Sequence, residues 1–174
     1  MHDHTSMMDH NHHESESTPH EYLKFAGVIL VILLASYLLS INAAVFNISD
    51  FLRNFMGVFF LVFGMFKLLD LKGFASSFSG YDIIAKRSIV YAYAYPFIEI
   101  ALAVGYFLRL PYIDWITLVV MAVGSIGVLK ELKRGSKIKC ACLGTFIKLP
   151  LTTISLIEDV GMGLMALLMI LKII

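Results

Sequence analysis

Charge is scarce in this sequence. Asp, Glu, Lys and Arg make up only 16% of its 174 residues, where an ordinary soluble domain carries about a quarter. Cysteine is scarcer still. Cys140 and Cys142 are the only two, too few for a disulfide scaffold. There is no long basic stripe, so nucleic acid is not an expected partner. The first twenty residues are polar and acidic and lack the basic start and short apolar core of a secretory signal peptide. What fills the space is apolar: 59% hydrophobic residues and a mean hydropathy of +0.80. The net charge of +1 says little about partners; the distribution of charge says more.

Residues 1–20 read MHDHTSMMDHNHHESESTPH. They have no apolar periodicity and are expected to be a disordered, His-rich tail. Residues 21–174 form the second unit. Five apolar stretches follow the tail, each near the roughly 20 residues that cross a bilayer core. They run from Phe25 to Ile41, from Phe51 to Leu69, between Arg87 and Arg109, from Tyr112 to Leu129, and between Lys148 and Lys172. A spanning segment must satisfy its backbone internally, so helices are expected. Continuous apolar runs do not fit the alternating strands of a barrel. The predicted fold class is an all-α membrane bundle of about five transmembrane helices, with lipid as its first partner.

Five crossings place Lys24, Lys67, Lys72, Lys86, Arg87, Lys130, Lys133, Arg134, Lys137, Lys139 and Lys148 on one side and only Arg53, Arg109 and Lys172 on the other. The positive-inside rule then puts the N-terminus in the cytoplasm and the C-terminus in the periplasm of a bacterial inner membrane. Ala101 with Gly105, and Gly57, Gly64, Gly124, Gly127 and Gly161, mark places where helices can approach closely.

Four groups of residues can carry chemistry. Cys140 and Cys142 lie in KIKCACLGTFIKLP. Two thiols this close can chelate Cu(I), or Zn with further ligands, or cycle between dithiol and a strained disulfide. Lys137 and Lys139 beside them favour the thiolate; the plain alternative is two small residues packed at the membrane interface. All six histidines, His2, His4, His10, His12, His13 and His20, fall in the tail, where imidazoles can gather Cu, Zn or Ni. Glu99 falls at mid-membrane just after Pro96, which bends its helix. A carboxyl there either passes a proton or binds a cation, or it is a structural hydrogen-bonding group. Glu158 and Asp159 are either buried a few turns inside a helix that starts near Pro150, or exposed in the first turn of a helix capped by Ser155. The second arrangement needs no buried charge and is the one expected, with residues 140–154 interfacial or re-entrant.

The stretch FLVFGMFKLLDLKGFASSFSGYDII followed by YAYAYPFIEIALAVG resembles the MauE/DoxX group of small bacterial membrane proteins over roughly residues 51–174. The resemblance rests on Gly64 to Leu68, on Phe74, Ala75 and Tyr81, on Pro96 and Glu99, and on Cys140, Cys142 and Gly144. It implies a helical bundle linked to redox maturation, as in methylamine utilisation, where MauE is associated with disulfide formation in methylamine dehydrogenase. Related proteins can carry a heavy-metal domain ahead of the bundle, a purpose the His-rich tail could share. The expectation is a protein that works with a thiol-redox or metal-handling partner rather than a stand-alone enzyme. Its rivals are a Cu-type binding or transport protein and a structural subunit of a membrane complex.

Overall fold

The computed structural model describes residues 19–41, 47–133 and 151–173. Within them every regular element is a helix. The helices are α1 (Pro19–Ile41), α2 (Ile48–Leu69), α3 (Leu71–Phe78), α4 (Ile89–Phe107), α5 (Ile113–Lys133) and α6 (Leu151–Ile170). Segments in α1, α2, α4 and α5 are long and apolar enough to cross a membrane. With 20 residues, α6 has the same reach. The five long helices are the five apolar stretches of the sequence. The short α3 is an addition that hydropathy alone does not separate from α2.

Local chemistry sets the ends. Pro19 opens α1, where its fixed φ is preorganised and its missing N–H is no loss. Asn47 caps α2, its side-chain oxygen accepting from the Ser49 amide at 2.9 Å. Asp70 leaves the helical region at φ −131° and ψ 62° and divides α2 from α3. Its carboxylate then accepts from the Gly73 amide at 3.0 Å, which caps the new helix.

Packing is uneven. Against α2, α4 lies antiparallel: Gly57 meets Phe107 near one end and Gly64 meets Pro96 and Ile100 toward the other. A Cβ at Gly64 would come within 3.3 Å of the Pro96 carbonyl, so any larger residue would have to push the two helices slightly apart. The principal neighbour of α6 is α5. Among the described residues α1 packs only on α2, joined by a hydrogen bond from the Asn54 amide to the Ser40 hydroxyl at 3.0 Å. The Tyr106 hydroxyl likewise meets Thr117 at 3.1 Å and joins α4 to α5. The rest of α1 turns Leu23, Leu30, Val31, Leu34 and Leu38 outward, as a lipid-facing helix does.

The core has two parts. One joins Ile32, Met56, Phe59, Phe60, Phe63, Leu102, Met121 and Met162, with Tyr106 among them. The other gathers Phe74, Ala75, Phe78, Tyr81, Tyr95 and Val128. The second part lies at the end where α2 finishes, α4 begins, α5 finishes and α6 begins. Residues 134–150, which include both cysteines and join α5 to α6 in the chain, lie outside the described residues.

Candidate buried charge cluster

Two helix positions create the site. Lys67 stands three residues after Gly64 on α2, on the same helical face. Glu99 stands three residues after Pro96 on α4. Because Gly64 lets the backbones close, the Lys67 ammonium reaches the Glu99 carboxyl and donates to Oε1. Lys67 is only 4% exposed and Glu99 only 2%. The ammonium also lies 5.6 Å from the Phe74 ring centre and 5.3 Å from that of Tyr95, within the range of a cation–π contact. Phe74 and Phe78 stack with centroids 5.0 Å apart, and Phe78 meets Tyr95 at 4.5 Å. The charge pair thus sits behind an aromatic wall.

A third helix adds acid. Lys67 shares a cavity of about 20 Å³, roughly the room of one water molecule, with Glu158 and Asp159 of α6 and with Tyr81 and Tyr95. Asp159 reaches inward because α5 offers Gly124, where a Cβ would stand 2.9 Å from its Oδ2. Here the structure corrects the sequence reading. Since α6 begins at Leu151, Ser155 is inside the helix and does not cap it. Glu158 and Asp159 lie two turns in, and the carboxyls face the interior beside a lysine that offsets the burial cost the sequence reading sought to avoid.

Lys67 is corrected too. The charge tally counts it among loop cations, but it points into the bundle and does not flank the membrane. Half the signal is in the sequence, since a mid-membrane glutamate demands a cation, but which cation depends on the face of α2 that Gly64 opens. Of the other residues of the resemblance, Phe74, Ala75, Tyr81 and Pro96 converge on the same place, while Cys140, Cys142 and Gly144 lie outside the described residues. Spread along the chain, those that converge look like separate weak motifs; folded, they are the lining and supports of one charge pair.

Beyond the helices, the turn after α3 buries Asp82 completely. Its Oδ1 accepts from the amides of Ile84 and Ala85, both at 2.8 Å. Among the described residues its Oδ2 has no partner. Burial holds the Asp82 carboxyl above the usual aspartate range, against the opposing pull of the Ala85, Ile84 and Ile83 amides and of Lys86. Gly127 of α5 lets this turn dock, since a Cβ would come within 3.1 Å of the Asp82 Cα and the Tyr81 carbonyl.

Of the sequence-derived site residues, Glu99 is in the cluster. Cys140, Cys142, His2, His4, His10, His12 and His13 lie outside the described residues. His20 falls in the first turn of α1. Among the described residues no three His, Cys, Asp or Glu side chains are placed to hold a metal ion.

Comparison with known proteins gives one match. The family model described as Methylamine utilisation protein MauE covers residues 44–172, from just before α2 to just after α6. No curated protein and no solved structure matches the chain.

Proposed function

The chain belongs to the MauE family, and on that premise we propose that it is a redox-associated inner-membrane protein whose Cys140 and Cys142 exchange thiol and disulfide with a partner protein. The observation that carries this reading is the Lys67–Glu99 pair with Asp159 beside it, buried among α2, α4 and α6, the last of which follows the cysteine segment in the chain. Thiol–disulfide exchange starts from a thiolate, so each turnover moves protons at the thiols. Among the described residues the cluster holds more carboxyl groups than ammonium groups, in an apolar interior where unbalanced charge is costly. Such a cluster can take up and return a proton without opening the bundle. The thiols supply the nucleophile, Lys137 and Lys139 favour its ionised form, and the cluster buffers the proton.

The reading has an orientation. The ends of α2 and α5 and the starts of α4 and α6 face the cytoplasm with the basic loops, so Cys140 and Cys142 rest as a dithiol. Exchange conserves the bonds: one thiolate attacks a partner disulfide, a mixed disulfide forms, and the second thiol releases the reduced partner.

Trapping tests this. In membranes from cells carrying Cys140→Ser or Cys142→Ser, mass spectrometry after rapid alkylation should find the remaining thiol in a mixed disulfide. The double variant should trap nothing. If neither single variant traps a partner and Cu(I) protects both wild-type thiols from alkylation together, the pair is a soft-metal chelate. In that case the His-rich tail becomes its collector for Cu or Zn, and the redox reading falls.

A further inference from the structure

Asp82 is a costlier residue than its turn needs. The turn between α3 and α4 buries it completely. Its Oδ1 accepts from the Ile84 and Ala85 amides, both at 2.8 Å, and these bonds fix the carboxyl in place. Its Oδ2 is buried and has no hydrogen-bond partner among the described residues. An asparagine could accept the same two amide bonds with no charge to bury. Capping the turn therefore accounts for one oxygen and leaves the second without a role.

Helix α5 relates this carboxyl to the charge cluster. Gly127 receives the Asp82 turn, and Gly124 receives the Asp159 carboxyl. Three residues apart, the two glycines share one face of α5 and are separated by about 4.5 Å along its axis. Gly127 is nearer the end of α5, so Asp82 stands outward of Asp159, and Asp159 lines a cavity with Lys67. Asp82 lies within Coulombic reach of Asp159. Tyr81, its neighbour in the chain, lines that same cavity, which has room for about one water molecule. The ionisable groups around Asp82 are Lys86 on its own turn, Tyr91 of α4 and Asp159 of α6; α5 meets it with Gly127.

We propose that Asp82 is the proton port of the buried cluster: its Oδ2 takes a proton from water at this end of the bundle and passes it, by way of the small cavity, to Asp159 and the Lys67–Glu99 pair. A hydronium ion gives up the proton and becomes water. The Asp159 carboxylate receives it, and Asp82 is ionised again. Burial favours the neutral form of Asp82, so the loaded port is the less costly state. The inference deepens the proton-buffering role of the cluster and rests on that reading for the use made of the proton; the transfer itself needs no thiol.

The test uses the full chain with Cys140→Ser and Cys142→Ser, in phosphatidylcholine nanodiscs. A flash of light releases protons from a caged acid, and time-resolved infrared absorption follows the carbonyl band of protonated carboxyl groups. Asp159→Asn identifies the share of that band which belongs to the cluster. Asp82→Asn keeps the amide bonds of the turn and loses the proton site. It should slow growth of the cluster's share at least about tenfold, as loss of a positioned proton-transfer group does, with a melting temperature no lower than that of the parent chain. Added azide, a small proton carrier, should restore the rate, which it would not do for a residue that only holds the turn together. If the Asn variant fails to insert, Asp82→Ser offers the amides an oxygen without a carboxyl and takes its place. The proposal is overturned if the parent chain shows no cluster band, if the cluster fills as fast without the Asp82 carboxyl, or if the slowed variant ignores azide. Every chain in this test lacks the thiols, so failure of the thiol reading would leave the result standing, and failure here would leave the trapping experiment untouched.

Discussion

Lys67 and Glu99 show how much one buried pair constrains its surroundings. Each charge loses its water, and the pair is tolerable because the partner and the aromatic faces of Phe74 and Tyr95 replace part of that solvation. Removing one member is then worse than removing both. Glu99→Gln should leave Lys67 charged beside a neutral amide and lower stability by about 3 kcal/mol, within the range for breaking buried pairs. Lys67→Met should cost a similar amount through the stranded carboxylate. The double variant Lys67→Met with Glu99→Leu should recover most of the loss, because an apolar pair of similar volume carries no desolvation cost. Thermal unfolding of the four proteins in one detergent measures the coupling. Additive losses would mean that the two side chains do not depend on each other.

At the scale of the element, glycines decide which helices meet. Gly64 lets α2 close on α4, so Gly64→Val should push them apart and cost about 1–3 kcal/mol, as overpacking does. Gly161→Ala, also in a helix interior, should not destabilise and could gain a few tenths of a kcal/mol from helix propensity, since it meets open space. Comparing the two melting temperatures separates close packing from intrinsic propensity. The turn between α3 and α4 gives a pH signature. Because burial raises the native Asp82 carboxyl above its ordinary value of 3.8, the folded state holds that proton more tightly than the unfolded chain. Above the raised native value, the ionised group costs the fold stability. As pH falls toward 3.8 that cost shrinks, and below it both states are protonated and it is gone. Asp82→Asn should therefore melt higher than wild type at pH 7, and the difference should close as pH is lowered. A constant difference across pH would mean that the carboxyl does not titrate with folding.

For the whole molecule, charge sets the orientation and the helix count sets what that orientation means. If all five long helices cross, removing Lys67 from the tally leaves ten basic residues on one side against three on the other, so the expected asymmetry survives the correction. A reporter fused after Ile174 should read periplasmic, and one in the tail cytoplasmic. If both read cytoplasmic, an even number of helices crosses and the cysteine side must be assigned afresh. The same bundle has one tightly packed side and one loose side. The α2–α4 and α5–α6 contacts enclose the charge cluster, whereas among the described residues the close backbone contacts of α1 are with α2 alone. Hydrogen exchange in nanodiscs should therefore be faster in α1 than in α4.

The sequence by itself determined that this is a membrane bundle, where its long helices lie and which family it belongs to. Those properties follow from local quantities: a run of apolar side chains of bilayer length, a capping side chain, a short pattern such as Gly64 to Leu68. Glu99 was also legible, because a carboxyl at that depth is costly in any fold. Its partner was not. Lys67 is near a helix end, where a lysine ordinarily reaches back to water, and only the contact between Gly64 and Pro96 turns it inward. Ser155, Glu158 and Asp159 fit an exposed helix start equally well by spacing. What placed the acids inside was the α6 start at Leu151 and the space at Gly124, on another helix. Tertiary structure decided these points because the free energy of a buried charge depends on what stands opposite it, and that is a property of the packed helices together.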